Sequence, residues 1–371
     1  MEVGVPREIK NNECRVGLTP DSVKALTMQS ETVFVEKDAG KEIGFTNEMY
    51  EESGATILDD PKSVYGKSEL IIKVKEPLPE EYAFLDNTKT LFTYLHLAGN
   101  KQNSKQFIKT GVTGIAYETV TSEDGSLPLL SPMSQIAGKI SIVVGSYFLL
   151  KPYKGIGTLL GKVGEIDPRI VTIIGAGVAG KEAAKKALSV GSRVKVLDLS
   201  VGKLNLLKDE IGIDRIEYLV SSPESIKEAI SDSDLVIGSV YIVGKEAPTV
   251  ITKEMITLMK PGSVLVDISI DQGGCIETSR PTTHDNPTFV YEDVVHYCVT
   301  NMPGAVPLTA TLALNEATLP YIKDLCKKGV KSALEDDRHL QNGLNVKDGK
   351  IIHPSLTVSY THLRAHETTN Y

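Results

Sequence analysis

Two basic residues at the ends of apolar runs carry the first chemical signal in this sequence. Lys75 closes Leu70-Ile-Ile-Lys-Val-Lys75 just before Glu76-Pro77, and His96 follows Thr90-Leu-Phe-Thr-Tyr-Leu95. Runs of this kind read as strands, and parallel sheets bind ligands outside the carboxyl ends of their strands. A lysine there can polarise a carbonyl or hold a carboxylate; a solvated lysine at a sheet rim is the plainer reading. A histidine titrates near neutral pH and can accept and return a proton, against the plainer reading of a satisfied core residue. On successive strands of one sheet the two are more informative together than singly. Arg15, after Glu13-Cys14, offers a bidentate clamp for a carboxylate, or is an ordinary surface arginine. Asp271, in Asp267-Ile-Ser-Ile-Asp-Gln-Gly-Gly274, can orient a water or bear on an ammonium group, or is a turn aspartate.

A second signal is contiguous. Ile170-Val-Thr-Ile-Ile174 reads as a strand buried on both faces, and Gly175, Gly177 and Gly180 follow at G-x-G-x-x-G spacing before a helical stretch from Val178 to Val190. Gly175 permits the tight turn, Gly177 lets a pyrophosphate approach bare backbone, and Gly180 lets helix and strand pack closely. The glycines alone are a weak signal. Here a second strand, Arg193-Val-Lys-Val-Leu197, leads into Asp198 about twenty residues further on, where a carboxylate accepts from an adenosine ribose and repels a 2′-phosphate. The pattern predicts NAD as cofactor rather than NADP. Asn301, before Met302-Pro303, can then hydrogen-bond near the nicotinamide or in a domain cleft. Ser134 can offer its hydroxyl to a phosphate, although capping of a helix explains it equally well.

The rest of the chain must position these groups. Its 371 residues suffice for two domains, and 41% hydrophobic with 24% charged residues is ordinary globular composition. A net charge of -8 argues against nucleic acid or an anionic membrane as partner. The four cysteines form no C-x-x-C pair, so neither a zinc site nor a disulfide framework is indicated, no metal is expected, and free thiols suit the cytoplasm. The start is not that of a signal peptide, and the longest apolar run, Ile140 to Leu150, is too short to span a bilayer.

Strands at Met1–Val5, Val33–Val35, Leu70–Lys75, Thr90–Leu95 and Gly114–Tyr117 alternate with helical stretches, one opened by Thr19-Pro20 and one capped by Asn47. Ser131-Pro-Met-Ser134 caps a connector helix from Gln135 to Leu150. The later strands of the nucleotide sheet are Leu235–Val240 and Ser263–Ile268, and Leu308 to Leu325 reads as a helix interrupted at Pro320 that returns to the first domain. The expected fold is α/β, with two Rossmann-like domains built on parallel sheets and the nucleotide at the interdomain cleft. A discontinuous substrate domain comprises 1–130 and 305–357, and an NAD-binding domain 131–304. Residues 358–371, polar and aperiodic, read as a non-native or disordered tail whose histidines are no ligands.

Several motifs together resemble the alanine dehydrogenase family: Val3-Gly-Val-Pro-Arg-Glu8, Asn11-Asn-Glu-Cys-Arg-Val16, Lys73-Val-Lys-Glu-Pro77, Tyr94-Leu-His-Leu-Ala98, Ala116-Tyr-Glu-Thr-Val120, Pro128-Leu-Leu-Ser-Pro-Met-Ser134, Asp267 to Cys275, Ser279-Arg-Pro-Thr-Thr283 and Asn301-Met-Pro303. The likeness runs unbroken from about residue 1 to about 355. It implies a cytoplasmic homohexameric oxidoreductase of L-alanine catabolism, converting L-alanine and NAD to pyruvate and ammonium, and back. Carried over, Arg15 and Lys75 bind the substrate carboxylate, Lys75 also near the reacting carbon. His96 is the general acid/base, and Asp271 a second one or the orienter of water and ammonia. Ser134 touches cofactor phosphate, Asp198 the ribose and Asn301 the nicotinamide side.

The sequence departs from the family at Leu160-Gly-Lys-Val-Gly-Glu-Ile166, where a Gly-Gly-Val-Pro-Gly-like run is usual. It departs again at Tyr241-Ile-Val-Gly-Lys245, which lacks a proline before its glycine, and at the tail. Two relatives of the same plan are the alternatives: the NAD-binding subunit of proton-translocating transhydrogenase, which His96 and the lack of a following membrane segment disfavour, and saccharopine- or lysine-type dehydrogenases, to which the stretches around Lys75 and Asp271 are less similar.

Overall fold

The structure is a computed structural model that describes residues 1–97, 101–242, 246–354 and 356, without the side chains of 101 and 102. The end of the turn after His96 (98–100), the last part of the Tyr241–Lys245 segment and the tail 358–371 lie outside the described residues. The described residues divide into two compact units, Met1–Met133 with those from Val306 onward, and Ser134–Ile242 with Glu246–Ala305.

The strands in chain order are β1 (Glu2–Val5), β2 (Thr32–Glu36), β3 (Thr56–Leu58), β4 (Leu70–Ile72), β5 (Thr90–Thr93) and β6 (Thr113–Ala116) in the first unit. The second contributes β7 (Ile170–Ile174), β8 (Arg193–Asp198), β9 (Ile216–Val220), β10 (Leu235–Gly238), β11 (Val264–Asp267), β12 (Thr288–Tyr291) and β13 (Val294–Tyr297). The chain then returns to the first with β14 (Leu344–Lys347) and β15 (Lys350–Ile351). The first sheet runs β15-β14-β6-β5-β4-β1-β2-β3 and the second β12-β13-β11-β10-β7-β8-β9. Both are α/β sheets of parallel strands with an antiparallel edge. Central strands are apolar on both faces: Leu70, Ile71, Ile72, Leu91 and Phe92 in one sheet, and Val171, Ile173, Leu235, Val236, Ile237 and Leu265 in the other, are all fully buried.

The antiparallel edges come from two hairpins that the sequence reading passed over. Asp348 and Gly349 both have positive φ and join β14 to β15, with Lys347 opposite Lys350. Glu292 and Asp293 do the same between β12 and β13. Two successive residues with positive φ make the turn whose twist matches a hairpin.

Local structure corrects four other readings. The helix Asn47–Glu52 is capped by Thr46, whose hydroxyl accepts from Met49 N, while Asn47 instead accepts from Asp38 N at 2.8 Å. The connector helix runs Ser131–Phe148, so Ser134 lies inside its first turns and is not the cap; Pro132, tolerated where amides lack helical partners anyway, starts the helix earlier. β4 ends at Ile72, leaving Lys75 three residues beyond the ladder. Pro320 does not interrupt the helix Pro307–Lys328. Pro320 and Glu316 are both exposed, so the carbonyl deprived of its partner faces water. That helix packs in the first unit, where Asn315 Oδ1 accepts from Thr19 N at 2.9 Å.

Candidate active site

In the second unit the turn after β7 is shaped by steric necessity. Gly175 has φ +107°, and a Cβ there would lie 2.6 Å from Ser239 O. A Cβ on Gly180 would lie 1.8 Å from Gly175 O, so the helix Val178–Ser189 can seat on the strand end only without a side chain. A Cβ on Gly177 would meet nothing within 4 Å. Packing within the chain therefore does not demand that glycine, whereas a ligand lying against bare backbone does. Asp198, half-buried at the end of β8, braces the turn: Oδ2 accepts from Ala176 N at 2.7 Å and Oδ1 from Ser200 N at 2.8 Å. An ionised carboxylate has about four acceptor positions, so these two bonds leave capacity for ribose hydroxyls. Backbone amides, open space at Gly177 and an acid at the next strand end fit a dinucleotide.

The same unit brings Asp271 and Asn301 together. Asp271 is exposed on the turn Ile268–Gln272, and both its oxygens accept from Asn301 N, at 3.1 and 3.2 Å. Asn301 has φ +58°, a left-handed backbone that asparagine tolerates better than most residues. Beneath them Asp267, which sequence reasoning did not single out, is a buried hub. It accepts from Ser269 N, Cys275 N and the Ser279 hydroxyl at 2.9, 3.0 and 2.7 Å. Burial holds its carboxyl above the ordinary value, and these donors offset only part of that rise.

The first unit gathers side chains. Lys75 is buried and His96 half-buried, and Lys75 Nζ lies 3.3 Å from His96 Nε2. β4 and β5 are adjacent and parallel, with Ile72 opposite Phe92, which delivers both residues to one sheet edge. His96 has φ +46°. The Glu118 carboxylate holds this backbone by accepting from His96 N at 2.6 Å and from Leu95 N at 3.1 Å, and Tyr94 stacks on the His96 ring. Glu76, between the pair and Lys10, shows the local charge balance. Burial would raise its carboxyl, but Lys75, then His96 and Lys10, bring it down to about 2. A cavity of about 50 Å³ is lined by Glu76, Tyr82, His96, Ser104 and Phe107. A larger one of about 220 Å³, near Arg193 and Arg215, sits at the amino ends of β7 to β9, the wrong edge for a parallel-sheet ligand site.

Arg15 is buried rather than on the surface, and Glu13 takes its Nε–Nη2 edge at 2.7 and 2.5 Å. Its Nη1 meets Met133 Sδ at 3.1 Å. Burial pulls the guanidinium pKa down, Glu13 outweighs it, and the group stays charged above its ordinary value. Ser134, half-buried, stands just after Met133 in the connector helix. Glu13, Glu76 and Glu118 went unremarked as functional residues. The available signal was position, since each lies within three residues of a proposed site residue or of a strand end. Among the described residues no group of His, Cys, Asp and Glu side chains is arranged to hold a metal ion.

Comparison with known proteins is decisive at the level of family. The alanine dehydrogenase/PNT N-terminal domain matches residues 4–137 and the corresponding C-terminal domain residues 141–354. The chain belongs to the alanine dehydrogenase/PNT family. An alanine dehydrogenase from Halomonas elongata is 47% identical over 360 residues, 97% of each chain. One from Bacillus subtilis is 48% identical over 357 residues, 96% of this chain and 94% of that one. A solved L-alanine dehydrogenase superposes with a TM-score of 0.92 at 46% identity, covering 98% of this chain and all of the other. A transhydrogenase from Sinorhizobium meliloti, at 22% identity and a TM-score of 0.80, shares the fold.

Proposed function

We propose that the chain catalyses NAD-dependent oxidative deamination of L-alanine to pyruvate and ammonium, and the reverse reductive amination. The observation that carries the reading is the Lys75–His96 pair, 3.3 Å apart at the carboxyl edge of a parallel sheet, in a chain that matches alanine dehydrogenases along nearly its whole length.

NAD, when bound, supplies the acceptor for the hydride that leaves the substrate Cα. Gly175, Gly177 and Gly180 would present backbone to its pyrophosphate, Asp198 would take the adenosine ribose, Ser134 a phosphate and Asn301 the nicotinamide side. The Asp198 charge disfavours a 2′-phosphate, which selects NAD over NADP. Arg15 and Lys75 hold the substrate carboxylate. Water must add to the imino carbon left by oxidation, and ammonium must then depart. His96 takes a proton from that water and returns one to the leaving nitrogen, and Asp271 orients the water or the ammonia. Lys75 Nζ, 3.3 Å from Nε2, fixes where the imidazole meets that proton.

The reading extends to a cytoplasmic homo-oligomer, a hexamer by likeness to the family. Support comes from the four cysteines, all free, and from apolar side chains left exposed in the second unit, Val143, Tyr147, Leu159, Val163 and Ile166. Among the described residues no helix is long and apolar enough to cross a membrane.

The test is NADH formation by purified protein from L-alanine with NAD, with NADP and L-lysine as controls. Turnover with NAD and L-alanine alone is expected. Equal turnover with L-lysine would overturn the substrate, and equal turnover with NADP the role of Asp198.

A further inference from the structure

Beneath Lys75 lies a buried ion network that the chemistry above does not use. Lys73, with no solvent exposure, places Nζ 3.1 Å from Glu8 Oε2 and 2.9 Å from Glu81 Oε1. The remaining carboxylate oxygens reach backbone on both sides of Lys75. Glu8 Oε1 accepts from Val74 N at 2.6 Å and, at 3.4 Å, from Lys75 N. Glu81 Oε2 accepts from Leu78 N at 2.8 Å, while its Oε1 also takes the Tyr65 hydroxyl at 2.8 Å. Three segments meet here: the turn after β1, the exit from β4 and the 3₁₀ turn Pro79–Phe84.

The topology explains why a carboxylate is needed. β1 pairs with β4 only as far as Gly4 opposite Ile71. Beyond that point β1 has left the ladder, and Glu8 takes the Val74 amide that a strand carbonyl would otherwise accept. Such an anion in the interior needs a counter-charge, which Lys73 supplies. Burial pulls the Lys73 ammonium down, but Glu8 and then Glu81 outweigh it and hold it charged. A buried ion network is poor evidence for stability, because desolvation consumes most of its attraction; its geometry speaks instead for fixing one conformation.

We propose that Lys73, Glu8 and Glu81 are positioning residues, which lock the backbone from 74 to 78 so that Lys75 and Glu76 meet the substrate and His96 in one fixed geometry. The proposal rests on the reading of Lys75 as the residue that holds the substrate carboxylate. Displacement by about 1 Å at such a site costs on the order of a hundredfold in rate.

The experiment compares Glu81→Gln and Lys73→Met with Lys75→Met, and with Val64→Ala, an apolar core truncation in the same unit that removes no charge. Each is assayed for kcat, KM for L-alanine, NADH affinity and Tm, below its own unfolding transition. Glu81→Gln, which keeps the shape but cannot accept at both oxygens, is expected to lower kcat/KM for L-alanine about a hundredfold with unchanged NADH affinity. Lys73→Met should do the same if it folds, and Val64→Ala should lower Tm without raising the KM for L-alanine. Wild-type kcat/KM in Glu81→Gln beside an inactive Lys75→Met would overturn the positioning role alone. Wild-type turnover in Lys75→Met would overturn the role of Lys75 and this proposal with it. An equal KM rise in Val64→Ala would reduce the network to general stability.

Discussion

Between Ile170 and Asp198 the second unit makes its ligand turn almost wholly from backbone, in one unbroken stretch whose critical contacts are steric. The first unit draws Arg15, Lys75 and His96 from three separate segments and braces them with the carboxylates of Glu13, Glu8 and Glu118. On the proposed reading, the two halves of the reaction thus depend on different physics. A dinucleotide offers the same pyrophosphate in every turnover, so fixed amides and absent side chains suffice. An acid/base centre must hold charge and move protons, which backbone cannot do. The first kind of site should fail abruptly when a methyl is added, and the second by degrees as charges are removed.

The largest effect should follow Gly180→Ala. With a Cβ only 1.8 Å from Gly175 O, the helix cannot stay on the strand end, and NADH binding should vanish in a fluorescence titration. Retained binding would mean that the turn yields, against the steric account. Next comes His96→Asn, with kcat expected to fall about 10²–10⁴-fold while NADH affinity stays within about twofold. If affinity falls in step with rate, the separation drawn between the two regions is wrong. Asp198→Asn keeps an oxygen for Ala176 N but loses the charge. Its NAD affinity should drop by roughly one to two orders of magnitude, with NADP gaining relative to NAD; unchanged discrimination would remove Asp198 from cofactor choice.

The smallest effect is a pH dependence. Glu76 has its carboxyl depressed from 4.5 to about 2. A depressed carboxyl contributes stability above its unfolded value and loses that contribution as pH falls towards the folded one. The Tm gap between wild type and Glu76→Gln should therefore be full at neutral pH and close between about pH 4.5 and about 2. A gap constant across that range would show that Lys75, His96 and Lys10 do not stabilise the carboxylate.

The same contrast decides what the sequence could reveal. β7 spans Ile170–Ile174, as its β-branched run predicts, and the following helix ends one residue before Val190, because strand, turn and helix are written contiguously. The sequence also puts Lys75 and His96 at the ends of successive strands; the structure sets those strands side by side, with each residue three positions past its strand's last. What is paired with them is not legible, since Glu118 and Glu13 act through contacts that depend on how separate turns meet. Lys73 alternates with Lys75 and looks like any strand lysine until Glu8 and Glu81 are seen to enclose it. The hairpin at Asp348-Gly349 was readable from its dipeptide, whereas Glu292-Asp293, without a glycine, was not. Thr46 and Asn47 are both good caps by residue type, and the contact that engages Asn47 elsewhere, with Asp38 N, is made nine residues away in sequence.

The most direct test of the proposed reaction follows the hydrogen itself. Protein is incubated with NAD and L-alanine deuterated at Cα, and the NADH is analysed by NMR and mass spectrometry. Direct hydride transfer predicts deuterium at the nicotinamide C4, on one face, in amounts equal to the pyruvate formed. Unlabelled NADH with the deuterium released to solvent, or pyruvate formed without NADH, would contradict the account.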